Sequence, residues 1–286
     1  MDIFLQQLVN GLTLGAVYAV VALGYTMVYG IIQLINFAHG ELVMVGAMVG
    51  ITVVQALAPY GLPPAVVMFA ATAGAIPVCM LLGYAMERMA YRPLRGAPRL
   101  APLITAIGVS IILQHLALLV WSRNPIPFPP VFKTESYSLA GASITNIQVG
   151  IIIVCVVMMA GLAAIVYRTR LGTAMRATAQ NASVAALMGI DANRIIALTF
   201  IIGAALAAVA GILFANYYGI VHYTMGAQLG LKAFCAAVLG GIGNVPGAML
   251  GGVLLGLVEA LGAGYIGDLT GNVFGSNYQE IGRAHV

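Results

Sequence analysis

Long uncharged intervals, each closed by a short polar cluster, set the pattern of this chain. A membrane-spanning helix needs about 20 apolar residues. Ile3–Asn36 carries no charge and predicts a first span over Leu5–Tyr29. Leu42–Met86 is again uncharged and is interrupted at Pro59–Pro64, which predicts two spans joined by a tight turn. Leu100–Ser122 is a fourth span, ending at Trp121 where aromatic belts lie. Val149–Tyr167 and Ile195–Tyr218 are the fifth and sixth. The last third, Leu229–Gly267, is apolar but dense in glycine. Gly240, Gly241, Gly243, Pro246 and Gly247 are expected to fracture a helix in its middle. Backbone broken at membrane depth is tolerated where protein buries it or where it lines a cavity. Gly243, Gly247 and Gly251, with Gly252 and Gly256 beside them, also have the small-xxx-small spacing of closely packed helices. The pattern leaves both readings open. The predicted class is an all-α, polytopic membrane protein with about 7–9 membrane segments, some broken or re-entrant.

Charge gives these spans an orientation. Of the 12 Lys and Arg residues, four lie in Glu87–Arg99 and four in Arg168–Arg194. Two spans separate these loops, so both can face the cytoplasm, as the positive-inside rule requires. Three spans precede the first loop, which puts the N-terminus outside. Arg123–Gln148, with its prolines, then reads as an outer loop. Composition agrees: 62% of residues are hydrophobic and 7% charged, against about 25% charged in soluble domains. The net charge of +4 arises from loop arginines and implies no nucleic-acid partner. The N-terminus has Asp2 and no early basic residue, so we expect no cleaved signal peptide.

Arg168–Arg194 is the longest polar interval. Ala177, Gln180 or Asn181, Val184 and Leu187–Met188 recur there at three- and four-residue steps, the period of one helix face. Gly189 supplies a helix stop. The pattern allows a docking helix for a cytoplasmic partner or a helix lying on lipid headgroups. A second polar cluster, Asn36, His39, Gly40 and Glu41, falls between the first two spans. For Glu41 and Lys232, snorkelling at a span end is the expectation. Glu259, flanked by Val258 and Ala260, suggests a buried helix–helix contact or a lumen residue. Cys79, Cys155 and Cys235 lie in apolar runs and are expected to be buried packing residues. The four histidines are scattered, and no phosphate-binding, zinc or nucleophile motif is present, so no catalytic or metal site is predicted. A pore or transporter whose motor lies in another chain fits this pattern best.

Three stretches resemble branched-chain amino-acid ABC transporter permeases of the LivH type. They are NGLTLGAVYAVVALGYTMVYGIIQLINFAHGELVMVGA, RTRLGTAMRATAQNASVAALMGID and KAFCAAVLGGIGNVPGAMLGGVLLGLVEAL. The resemblance covers most of residues 1–279 as one permease domain. It implies an inner-membrane importer subunit that receives leucine, isoleucine and valine from a periplasmic binding protein. It also implies pairing with a second, related permease subunit and with two ATP-binding subunits, which hold ATP and Mg; this chain would hold no cofactor. Within the resemblance, Arg176–Asp191 would be the coupling helix. Its contact residues would be Arg176, Ala177, Gln180, Asn181, Val184, Leu187, Met188, Gly189 and Asp191. The translocation path would pass Asn36, His39, Gly40, Glu41, Gly240, Gly241, Gly243, Asn244, Pro246 and Gly247.

One departure and two alternatives matter. Family members continue beyond the Ser276–Gln279 region into another apolar span. Here residues 280–286 read EIGRAHV, the translation of a common sequencing adapter, so we expect a non-native tail in place of a last span. Urea or short-amide permeases share the same general architecture. A self-sufficient secondary transporter or channel is the alternative from another class.

Overall fold

The computed structural model describes residues 2–98, 100–139 and 142–269. Helix α1 (Asp2–Ile32) is followed by α2 (His39–Leu57), α3 (Pro64–Ala85), α4 (Leu100–Val120) and α5 (Asn146–Arg168). Two short helices, α6 (Arg170–Gln180) and α7 (Ala182–Leu187), lead into α8 (Ala192–Tyr218). A shorter α9 (Met225–Leu239) and then α10 (Val245–Leu269) complete the described chain. Seven of these helices are long and apolar enough to cross a membrane, and α9 is an eighth, shorter apolar segment. This is the predicted class. The EIGRAHV tail lies outside the described residues.

The two ends of the bundle are chemically distinct. At one end Arg95 Nη1 donates to Asn193 Oδ1 at 2.6 Å, joining the two arginine-rich loops directly. At the other end Gln6 of α1 bonds Ser143 at 2.9 Å and 3.1 Å. There the expected outer loop folds into strands β1 (Ile126–Pro127), β2 (Ser136–Leu139) and β3 (Ala142–Thr145). Strands β2 and β3 form an antiparallel pair, and β1 pairs with β4 (Ile220–Val221). Thus the N-terminal part of α1 sits opposite the arginines, as the span count requires.

Tight packing explains the glycines. A Cβ on Gly256 would strike the backbone of Gly15, and one on Gly252 would strike Ala19, so one glycine face of α10 lies directly on α1. Gly247 and Gly251 meet Ala236 of α9 and its capping residue Gly240 on the other face. In lipid, close approach of this kind replaces the hydrophobic drive available in water.

The Glu87–Arg99 stretch is not simply a loop: α3 continues through a π-helical turn, Met86–Tyr91, and a 3-10 turn, Arg92–Leu94. The wider turn rotates Glu87 and Tyr91 inward, where Tyr91 donates to Asn36 Oδ1 at 2.7 Å and Glu87 pairs with Arg95. Burial lowers the pKa of Arg95 and the nearby Glu87 charge opposes that shift. The expected fracture falls at residues 240–244, which form the turn between α9 and α10. Gly241 and Gly243 take φ of +87° and +94°, and Pro246 sits in the first turn of α10, where no N–H is needed. Finally, Cys79 and Cys155 are buried as expected, whereas Cys235 is exposed.

Candidate functional site

Helices at depth are interrupted at two other places. Helix α1 ends with Gln33 at φ +53°, whose N–H bonds Tyr29 O at 2.8 Å. Six irregular residues, 33–38, then climb back into the bundle. Helix α2 therefore starts beside the last third of its predecessor. A Cβ on Gly24 would collide with the imidazole of His39, and Gly203 of α8 lies against the same ring. At the opposite end α8 stops with Gly219 at φ +69°, whose N–H bonds Ala215 O at 2.9 Å. Another six residues, 219–224, dip inward before α9 begins. The two restarted helices meet at Gly40, Gly226 and Gly230, where backbone touches backbone.

Glu41 is fully buried at this crossing, so it does not snorkel. Its Oε1 accepts bonds from Ser110 Oγ and Gln114 Nε2 of α4, each at 2.8 Å, while Oε2 faces Gly226. His39 is equally enclosed and lies edge-on to Tyr25, ring centroids 4.9 Å apart. Of the proposed path residues, Asn36, His39, Gly40 and Glu41 are thus brought together in the core. Gly240, Gly241, Gly243 and Asn244 lie apart from them, in the α9–α10 turn, with Pro246 and Gly247 in the first turn of α10. Gly243 approaches Gly30 near the end of α1, and a small cleft beside it is lined by Arg176 and Ala179 of α6.

The polar segment is built from two helices rather than one. Thr169 caps α6 by accepting from Gly172 N at 3.1 Å. Asn181 then leaves the helical conformation and caps α7, its Oδ1 accepting from Ser183 N and Val184 N at 3.0 Å. A cap of this kind contributes about 1 kcal/mol, enough to divide a helix whose continuous period the sequence suggested. Gly189, at φ +83°, ends the segment, and Asp191 caps α8 through the N–H groups of Asn193 and Arg194. Arg176 is internal wiring: its guanidinium donates to Val166 O at the end of α5 and stacks 5.8 Å from the Tyr167 ring centroid. Ala177 is half-buried and Gln180 exposed. The apolar residues that project most are Val184 (53% exposed), Leu187 (86%) and Met188 (79%). They form an oily tip on the arginine-rich end.

One constellation carries charge into the bundle. Lys232 of α9 pairs with Glu259 Oε1 of α10 at 2.5 Å, and Tyr18 of α1 donates to Glu259 Oε2 at 3.1 Å. Glu259 is therefore the helix–helix contact that its apolar flanks suggested, and Lys232 is its partner rather than a snorkelling residue. A lone charge at this depth costs roughly 2.5–3.5 kcal/mol on insertion scales, which the pairing offsets. Sequence reasoning missed this triad because its members are 214 and 27 residues apart. It also missed the 219–224 break. A signal existed: Tyr29-Gly30-Ile31 lies just before the first break and Tyr218-Gly219-Ile220 opens the second, and each restarted helix has glycine at its second position.

With this geometry established, comparison with known proteins is informative. Residues 7–278 match the family model described as branched-chain amino acid transport system, permease component. The chain is 49% identical over 283 residues to the high-affinity branched-chain amino acid transport system permease protein BraD of Pseudomonas aeruginosa, covering 97% of this chain and 90% of that protein. It is 46% identical over 271 residues to LivH of Escherichia coli, covering 92% and 87%. A probable LivH of Methanocaldococcus jannaschii is 29% identical, covering 88% and 79%. No solved structure matches.

Proposed function

This chain belongs to the branched-chain amino acid transport permease family, and from that premise we propose that it is the membrane-spanning subunit of an ATP-driven importer for leucine, isoleucine and valine. In this reading two ATP-binding subunits, holding ATP and Mg, dock on the arginine-rich end, which faces the cytoplasm. The N-terminus is outside, in the bacterial inner membrane. A second, related permease subunit completes the pathway, and a periplasmic binding protein delivers substrate to the opposite end.

The observation that carries this reading is the oily tip of α7. Three large apolar side chains stand in the polar layer among arginines, where burial in a partner's groove stabilises them. Of the coupling residues named from the sequence, Val184, Leu187 and Met188 are the contact set, while Arg176, Asn181, Gly189 and Asp191 shape the segment that presents them.

Leu187→Asp and Val184→Asp test this. Because both sites are exposed, folding stability should change by no more than about 0.5 kcal/mol. ATP-driven leucine uptake by the assembled complex in proteoliposomes should nevertheless fall at least tenfold, with less ATP-binding subunit recovered on purification. Unimpaired uptake would remove α7 from the mechanism. Uptake of urea or a short amide in place of leucine would replace the substrate assignment.

A further inference from the structure

The outer break leads into a cavity of about 320 Å³ on the side of the bundle facing the strands. That size is at the low end of small-molecule sites, about 300–1,000 Å³. Its lining is unlike the apolar exterior of the spans. Lys232 reaches it from α9, Tyr18 from α1, His222 and Gln228 from the break and the helix after it. The aromatic rings of Phe214 and Tyr218, 4.2 Å apart, form one wall.

Charge placement makes this more than a void. The Lys232 ammonium has three donors; two point to Glu259 Oε1 at 2.5 Å and Tyr18 OH at 3.4 Å. The Lys232 side chain remains 42% exposed, against 28% for Glu259. Lys232 lines the cavity and Glu259 is not among its lining residues, so the pair presents its lysine there. We propose that this cavity is a zwitterion subsite: Lys232 receives the carboxylate of an α-amino acid, Tyr18 and Gln228 meet its ammonium beside the electron-rich ring faces, and the aliphatic side chain lies on Ile220, Met225 and Leu229. The assignment rests on the amino-acid importer reading and deepens it by naming where substrate pauses. Removing the pair must therefore do more than loosen two helices. A purely structural ion pair can often be exchanged for apolar residues of similar volume without loss.

The test is Lys232→Met combined with Glu259→Met, in the complete transporter with its binding protein. The subsite requires leucine uptake to fall at least tenfold while the permease still co-purifies with its partner subunits. Uptake equal to the unaltered complex would overturn the subsite and leave the importer reading standing. Absence of leucine uptake by the unaltered complex would overturn both. A second measurement does not depend on the double variant assembling. In a Cys235→Ser background, with Cys79 and Cys155 buried, Gln228→Cys should react with a membrane-impermeant thiosulfonate applied from outside. Leucine delivered by the binding protein should slow that labelling at least threefold, and labelling unaffected by leucine would overturn the proposal.

Discussion

The two interrupted helix pairs, α1–α2 and α8–α9, solve one backbone problem with opposite chemistry. Each leading helix ends in a left-handed residue whose N–H bonds the carbonyl four residues back: Gln33 to Tyr29, Gly219 to Ala215. Each left-handed residue opens a six-residue non-helical stretch, 33–38 and 219–224, before a helix restarts inside the bundle, and the pairs approach from opposite ends. Around the first break, neighbouring helices enclose Asn36, His39 and Glu41, with Tyr91 donating to Asn36 and Ser110 and Gln114 donating to Glu41. Along the second, His222, Thr224 and Gln228 line a cavity that also receives Lys232. Irregular backbone at membrane depth survives when buried in protein or when facing an aqueous space. This molecule uses one solution on each side of the crossing.

Breaking the crossing should have the largest effect. A Cβ at Gly40 would lie 2.7 Å from Gly230 Cα and collide with Gly226 O, both backbone atoms that cannot swing away. Gly40→Val should therefore exceed the ~1–3 kcal/mol typical of overpacking and yield no monodisperse protein in detergent. Recovery of normally folded material would show that the crossing is not fixed.

The enclosed half can be probed next through Glu41. Glu41→Ala strips Ser110 and Gln114 of their shared acceptor and should cost about 1–3 kcal/mol, read as a lower thermal midpoint. Glu41→Gln keeps an acceptor oxygen and should cost clearly less. Equal losses would mean that charge, rather than hydrogen bonding, holds α4 to α2.

The smallest effects belong to the caps. A side chain in the left-handed region costs roughly 1–2 kcal/mol, partly returned by its lower unfolded-state entropy. Gln33→Gly should thus raise stability by up to about 1 kcal/mol, and Gly219→Gln should lower it by a similar amount. If Gly219→Gln melts with the parent, the shared cap is not what ends α8.

Sequence and structure divide according to the range of the interactions involved. Apolar length alone located the spans, because lipid leaves a continuous helix as the cheapest way to satisfy backbone groups. Arginine placement located the common end of two loops, later joined by Arg95 and Asn193. The split of the docking segment was within reach: Asn181 is a strong N-cap residue, yet the period across it looked continuous.

What only tertiary structure decided were partners distant along the chain. Nothing local distinguishes a lysine that snorkels from one that meets a glutamate 27 residues away, or reveals that Glu41 is received by a serine and a glutamine on α4. The glycines around 240–247 announced a break, but whether it lay at mid-bundle or at a turn depended on where α9 began. That start was set by Gly226 meeting Gly40 across 186 residues. Hydrophobicity determined that this chain crosses the membrane; close packing of backbones from distant segments determined where its polar groups could be satisfied.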